Sequence, residues 1–477
     1  LNTAEEFADY EKIYMVCALD WRGRVYTRSC LSFQGNDLEK GLLLFAGDIK
    51  PIGNVSDLDY LFIHGANTFG LDKKPFNERI QWIRDHKVDI LRSATDPLGY
   101  EFWQGASDPF QFLAFCFAMA DLEAYISKNG VAVGFVCDLP VRFDATCNAL
   151  QHYACLSKDP KLAETVNLKE SSWDKGPADV YSAVLNSIKT CIKKDADKGT
   201  EDSLADGYDD IPYLKLGTRN LALLWLNYRN HDGSGLSRKN VKRCCMTYTY
   251  GATEFAFKEN VKKFINEEGQ HDYFGPAFLD AALYLGSLIF KTMENDKNLI
   301  RSAATLKNWM KAAAVTLSEK KDSLPIAWTT PLGLPVQQYY LKSGKVKSIQ
   351  ISILQKRVRI YSSEKLTLIN PRKQVQSLSP NFIHSLDATH LMMTVLNSNS
   401  KGIKHFMLIH DCFGCPVSQA AELLSTLKTT FVELYETDPL KAFRDALQAQ
   451  TKEPLPELPA VGAWDINEIK KSTYSFS

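Results

Sequence analysis

Two aspartates stand where extended apolar stretches end. In D-L-P-V-R-F-D-A-T-C-N-A-L-Q-H-Y, residues 138–153, Asp144 closes a run containing Val141 and Phe143. A helical pattern follows from about Asn148. In H-F-M-L-I-H-D-C-F-G-C-P-V, residues 405–417, the apolar run Phe406 to Ile409 leads into His410 and Asp411, and a Gly and a Pro come soon after. A carboxylate delivered by a buried strand is costly unless it is paired, hydrogen-bonded or bound to a cation. Two such carboxylates could share a pair of magnesium ions. Magnesium prefers hard oxygen ligands and uses one or two protein carboxylates plus substrate phosphates. Two such ions can stabilise the attacking and leaving oxygens of phosphoryl transfer. The competing readings are local: Asp144 as the N-cap of the helix after it, and Asp411 as a satisfied turn residue. His-Asp also occurs at 231–232 and 271–272, in polar surroundings that read as loops.

The segment R-K-N-V-K-R-C-C-M-T-Y-T-Y-G, residues 238–251, places Arg238, Lys242, Met246 and Tyr250 four residues apart. On a helix these form one slowly drifting stripe, from two cations through a thioether to an aromatic ring. Cations suit a triphosphate; a Met and a Tyr suit a base and sugar. Arg243 lies one residue off the stripe. The alternative is a solvated basic helix whose Met and Tyr reach the core. Cys412 and Cys415 have C-x-x-C spacing, but no second pair completes a zinc set.

These segments must be positioned by a large, mostly helical chain. It has 477 residues, 45% hydrophobic and 23% charged, which fits a globular core and excludes disorder or a fibrous fold. The 56 basic and 56 acidic side chains balance, so any nucleic-acid contact must use a local cationic cleft. The 11 cysteines are scattered, as suits a reducing compartment. No uninterrupted apolar run reaches membrane-spanning length, and no membrane partner is expected. Helices are expected over 76–93 and 108–127, and extended chain over 131–144, bent at Pro140. An exposed acidic loop is expected over 193–210, a long helix from Leu236 to about Phe264 interrupted at Gly251, and further helix over 276–318. Residues 342–373 carry nine Lys or Arg and one acid and read as a basic β-ribbon. Helix returns near 381–396, then strand–turn–strand around 405–417, then helix to about 449.

Taken together, the motifs resemble the single-subunit RNA polymerases of phages and mitochondria. Residues 144–152, D-A-T-C-N-A-L-Q-H, look like that family's first catalytic motif. Residues 238–251 look like its fingers helix, and 408–414, L-I-H-D-C-F-G, like its second catalytic motif. Further matches in order are D-W-R-G-R at 20–24 with Q-G-N-D at 34–37, D-V-Y at 179–181, P-N-F-I-H-S-L-D at 380–387, and L-P-A-V-G at 458–462 with Phe476-Ser477 at the end. The resemblance implies an α/β (α+β), mostly helical right-hand polymerase of palm and fingers with a small antiparallel palm sheet. It implies an N-terminal part at 1–130, palm at 131–190, fingers at 191–335, a basic specificity hairpin at 336–375, and palm with the C-terminal foot at 376–477.

The same resemblance implies two magnesium ions on Asp144, Asp411 and the carbonyl of Ala145. Arg238 and Lys242 would grip an incoming ribonucleoside triphosphate, with Met246 beside them, and Lys242 would protonate the departing pyrophosphate. Tyr250 would sit beside the templating position. Tyr181 and His384 would lie near the sugar and its 2′-hydroxyl. Arg22, Arg24 and Arg243 would contact nucleic acid, Phe255 would stack on the template, and Lys356, Arg357 and Arg359 would lie on the specificity ribbon. The implied partners are a DNA template and an RNA product, and the implied setting is the cytoplasm of a phage-infected bacterium or, alternatively, an organelle. Ala145 and Ala149 stand where the family usually has Gly, and Cys412 where Ser is common. Only 19 residues precede Asp20, so a separate N-terminal subunit, or a missing N-terminal domain, is expected to supply promoter binding and melting. A related right-hand DNA polymerase is disfavoured because 144–152 lack a glutamate and Asp411 is followed by Cys412. An inactive DNA-binding factor is disfavoured by the intact Asp144, Asp411, Arg238, Lys242 and Tyr250.

Overall fold

Pro109 opens the helix Pro109–Asn129 and Gly130, at φ 77°, closes it, the two positions where a missing N–H and a left-handed backbone cost least. This computed structural model describes residues 2–205, 213–230, 232–295, 300–318, 324–353 and 356–477, without the side chains of 204–205, 213–214, 295, 343, 345–353 and 356–366. Phe112, Phe115, Met119 and Leu122, three or four residues apart, turn inward from that helix. Phe112 meets Phe69 of the helix Leu58–Phe69 edge-on, with ring centroids 5.0 Å apart.

The chain divides into two compact units. The first holds residues 1–180, 384–437 and 461–477, and therefore both aspartate segments. Its centre is a three-stranded antiparallel sheet in the order Met407–Ile409, Cys412–Cys415, Val141–Asp144. Phe413 pairs with Phe143 across the ladder, both buried. Behind the sheet, the His390 ring lies 5.6 Å from Phe413, 5.6 Å from Phe476 and 4.9 Å from Phe431. Burial holds His390 down to about 4, and its Nε2 lies 3.0 Å from the Leu427 carbonyl. The tail joins the free edge of Val141–Asp144. The Ser477 N–H donates to the Asp144 carbonyl at 3.0 Å, and the Thr146 N–H donates to the Ser475 carbonyl at 3.2 Å.

The second unit holds residues 181–383 and 438–460. The helices Arg238–Thr249, Glu254–Glu267 and Phe278–Asn295 enclose Tyr248, Phe257 and Phe290, whose rings meet edge-on. The basic ribbon is present as Leu341–Ile353 paired antiparallel with Lys356–Ile369. Two register shifts lie near its base, between Leu341 and Val346. The side chains of Lys356, Arg357 and Arg359 lie outside the described residues.

Several boundaries differ from expectation, each for a local reason. The 76–93 helix is two helices, Phe76–Asp85 and Lys87–Thr95. The His86 ring stacks on Trp82 at 4.2 Å and its Nδ1 lies 2.9 Å from the Trp82 carbonyl, competing for a helical acceptor. Of 131–144 only Val141–Asp144 is strand; Gly134 takes φ 95° and Val131 and Val133 are exposed. Residues 193–198 are not loop but the end of the helix Val180–Lys198, where Asp195 accepts from the Tyr284 hydroxyl at 2.8 Å; residues 206–210 lie outside the described residues. His271 and Asp272 open a short helix, His271–Phe274, rather than a loop; His231 is outside the described residues. The expected 381–396 helix runs from Pro371 to Ser400 with Pro380 inside. The helix expected up to 449 is broken between Ala420–Glu436 and Pro439–Gln448 by Asp438 at φ 48°.

Two helical stretches, Pro109–Asn129 and His271–Glu294, are long and apolar enough by composition to cross a membrane, although Asp121 and Glu123 in the first and Asp272 and Asp280 in the second interrupt the apolar runs. The first buries Phe112, Phe115, Met119 and Leu122 in the first unit, as a core helix does. The second is interrupted by the turn Gly275–Ala277.

Candidate active site

A two-residue turn, His410 and Asp411, joins Met407–Ile409 to Cys412–Cys415, with Ile409 paired to Cys412. Such a turn needs a positive φ, and His410 supplies it at 52°. Asp144 pairs with Cys412 on the other side of that strand. The two aspartates thus leave neighbouring strands at the same end of one sheet. The Ala145 N–H donates to the Asp411 carbonyl at 3.2 Å and ties the two strand ends together.

The helix after Asp144 starts at Asn148, with Cys147, at φ 57°, before it. Asp144 is therefore not its N-cap, and the helix-cap reading falls. Cys412 and Cys415 are free thiols on one strand. Residues three apart on a strand point to opposite faces, so this pair does not form one metal site.

Asp144 is exposed and Asp411 half-buried, so solvent reaches both carboxyls although protein crowds around them. Burial raises Asp144 above the ordinary carboxylate value, and the neighbouring Asp411 raises it further. Burial also raises Asp411. Arg142 and Lys73 for Asp144, and Arg24 for Asp411, offset this only in part. Among the described residues no cluster of three His, Cys, Asp or Glu side chains could hold a metal. Two carboxylates and a backbone carbonyl fall outside that description, yet they suit a hard ion that completes its shell with water and phosphate. Adjacent, mutually repelling carboxylates facing solvent fit a divalent cation.

Beside the aspartates lies a network that the sequence reading underestimated. Arg24 grips Asp387 through Nε, at 3.1 Å, and through Nη2. Asn148 Nδ2 adds a bond to Asp387 Oδ2 at 3.3 Å. Burial raises Asp387 to about 6 against the pull of Arg24. Arg22 Nη1 reaches His384 Nδ1 at 2.8 Å, while its Nε and Nη2 donate to Asp20 Oδ2 at 3.0 and 2.6 Å. These bonds use three of the five N–H donors of Arg22. Arg22 and Arg24, expected on nucleic acid, are therefore turned largely onto Asp20, His384 and Asp387. The signal for Asp387 was present: a carboxylate one helical turn beyond His384, between Leu386 and Ala388.

In the second unit the stripe forms as expected. Ser237 caps Arg238–Thr249 in a capping box with Asn240. The helix buries Val241, Cys244, Cys245 and Tyr248. Lys242, Met246 and Tyr250 are exposed, so the reading in which Met and Tyr fill the core falls. Tyr250 lies just past the last helical residue. The Arg238 guanidinium sits 5.0 Å above the Tyr181 ring, which brings two of the expected nucleotide residues together. Arg243 pairs with Glu267 at 3.1 Å. Phe255 is 71% exposed at the start of its helix, available to a planar partner.

Comparison with known proteins yields concordant matches. The profile of the DNA-dependent RNA polymerase family matches residues 50–455. The chain is 35% identical to the DNA-directed RNA polymerase of Enterobacteria phage T3, across 100% of this chain and 54% of that protein. It is 34% identical to T7 RNA polymerase of Escherichia phage T7, across 100% and 55%. It is 32% identical to mitochondrial DNA-directed RNA polymerase 1 of Arabidopsis thaliana, across 100% and 45%. The chain spans about half the length of these relatives.

Proposed function

The chain belongs to the DNA-dependent RNA polymerase family, and on that premise we propose that it adds ribonucleotides to an RNA 3′ end as directed by a DNA template. The observation that carries the reading is the placement of Asp144 and Asp411 at one end of one sheet, tied by the Ala145–Asp411 backbone bond. Asp144, Asp411 and the Ala145 carbonyl are the proposed holders of two magnesium ions. Magnesium held there supplies activation of the primer 3′-oxygen and neutralisation of triphosphate charge.

The remaining roles belong to the chain's own side chains. Arg238 and Lys242 bind the triphosphate, and Lys242 delivers a proton to the leaving pyrophosphate. Met246 and Tyr250 contact the base and the templating position. Tyr181 and His384 lie at the sugar. Arg22, Arg24 and Arg243 meet the nucleic-acid backbone, and Phe255 stacks on the template. The ribbon 341–369 enters a groove of duplex DNA, where a two-stranded ribbon fits. The proposed setting is the cytoplasm of a phage-infected bacterium, with an organelle as the alternative.

An RNA-primed DNA template incubated with magnesium and either rNTPs or dNTPs tests this reading. Extension with rNTPs is expected. Extension with dNTPs alone would favour a right-hand DNA polymerase, and template binding without extension would favour an inactive DNA-binding factor.

A further inference from the structure

A cavity of about 640 Å³ lies wholly within the second unit, in the size range of small-ligand sites. Its walls are the turn at residues 251–254, the helix Arg301–Ser318 and the first turns of the helix Pro371–Ser400, with Phe290 and Glu294 from a fourth side. Arg238, Lys242 and Met246 do not line it. It adjoins the opposite face of their helix instead. The lining residue Lys307 touches Tyr248, which lies about 200° around that helix from Met246.

The charges around the cavity do not cancel. Of its two carboxylates, Glu254 pairs with Lys258 at 2.8 Å and accepts from the Ser287 hydroxyl. Glu294 pairs with Lys307 at 2.8 Å. Lys311 and Arg372 also line the cavity, are exposed, and have no ion-pair partner among the described residues. The surplus is therefore positive and suits an anion. Ala252, Phe290, Val315 and Val375 supply apolar wall for a planar ring. Gln376 brings an amide, a group that can pair with the edge of adenine. Lys307 connects this site to the stripe. Its side chain is 13% exposed, and its ammonium sits 3.5 Å above the Tyr248 ring while bonded to Glu294. Burial holds that ammonium below the ordinary lysine value, against the pull of Glu294.

We propose that this cavity binds a free nucleoside monophosphate, its base against Phe290, Val315 and Val375 and its phosphate on Lys311 and Arg372, and that the ligand acts on the stripe helix from behind. The cavity has room for one such molecule. A phosphate beside Lys307 competes with Glu294 and with the Tyr248 ring for the same ammonium, and Tyr248 belongs to the helix that carries Lys242 and Met246. Gly251, the joint directly after Tyr250, lines the cavity too. Occupancy therefore alters the end of the stripe without displacing anything from its exposed face. The effect on extension rests on the reading of the stripe as the nucleotide-binding face; the binding itself does not.

Equilibrium dialysis of the full chain against AMP, ribose 5-phosphate and a short single-stranded oligodeoxynucleotide tests the binding. AMP is expected to bind more tightly than ribose 5-phosphate. The double variant Lys311→Glu with Arg372→Glu, which alters only exposed side chains, is expected to bind AMP at least about tenfold more weakly, the loss a charge-assisted contact carries. Lys242→Leu is expected to bind it as before. AMP binding that is lost in Lys242→Leu and kept in the double variant overturns the proposal, because the ligand then sits on the stripe. Equal binding of ribose 5-phosphate overturns the base recognition. A double variant that loses only the oligonucleotide assigns the cavity to a nucleic-acid strand and overturns it as well. In extension assays AMP is expected to lower kcat of the unaltered chain with the KM for rNTP unchanged, and to leave the double variant unaffected. AMP binding at the cavity with extension indifferent to AMP keeps the site and overturns its coupling to the stripe. Cavity binding in a chain that extends no primer supports the site and counts against the polymerase reading instead.

Discussion

The backbone N–H of Ala145 donates to the carbonyl of Asp411 at 3.2 Å. The bond joins the residue after one metal-binding candidate to the backbone of the other. Together with the pairing of Asp144 and Cys412, it places the two carboxylates by backbone geometry rather than by side-chain partners. Ala145 in place of a glycine leaves this bond intact, because the N–H and carbonyl do the work.

The electrostatic cost of that placement is measurable. Both carboxyls are raised, Asp144 by burial and then by Asp411, and Asp411 by burial. A carboxyl with a raised folded-state pKa contributes stability that is fully present below its unfolded value and is lost as pH rises through the folded value. In chelator, these two carboxyls are expected to contribute a fall in melting temperature as pH rises above the ordinary carboxylate value of 3.8, opposed by buried histidines such as His390. Asp144→Asn should flatten this fall, and magnesium should raise the melting temperature of the unaltered protein at neutral pH more than that of the variant. Calorimetry across pH, with and without magnesium, checks all three.

The Arg24–Asp387 pair is a structural risk as well as an anchor. Its side chains are 13% and 2% exposed, and removing one partner of a buried pair costs about 3–5 kcal/mol by leaving the other charge uncompensated. Arg24→Met and Asp387→Leu are each expected to lose about that much in urea unfolding. The double substitution should recover most of the loss; a double variant as unstable as the sum of the two singles would contradict the pairing.

Lys242 and Arg238 should separate kinetically. If Lys242 protonates pyrophosphate, Lys242→Leu lowers kcat by roughly 10²- to 10⁴-fold. Arg238→Ala removes a charge-assisted contact worth about 1.5–3 kcal/mol and is expected mainly to raise the KM for nucleotide. Steady-state kinetics on a primed template distinguishes the two effects.

Gly251 marks the joint after the stripe helix. Its φ is +79°, and a Cβ there would lie 2.9 Å from the Gln376 carbonyl oxygen. Pro380 has no N–H to offer that carbonyl from one turn ahead, so the glycine backs onto an acceptor without its helical donor. Gly251→Ala is expected to destabilise the protein by at least about 1 kcal/mol, read as a lower urea midpoint with an unchanged slope.

Where local signals agreed, the sequence was a good guide. The strand ending at Asp144, the hairpin at 405–417, the helix from Asn148 and the basic ribbon all stand close to where apolar alternation and turn residues put them. The failures came from side chains acting on backbone. The His86 ring and the left-handed Asp438 broke helices that periodicity joined. Pro380, just before the expected helix start near 381, sits within a 30-residue helix. Asp144 and Asp411 were legible as candidates, but a helix cap was ruled out only once the helix start was seen at Asn148. The Arg24–Asp387 and Arg22–His384 pairs join residues more than 360 positions apart, and no spacing rule reaches that far.

The most direct measurement of the central claim is single-nucleotide extension of an RNA primer on a DNA template by Asp144→Ala and Asp411→Ala, beside the unaltered chain. The account predicts that each variant still binds the primed template but extends it at least about 10³-fold more slowly, since losing a metal carboxylate removes several kcal/mol of transition-state stabilisation. Extension by either variant within about tenfold of the unaltered chain would contradict it.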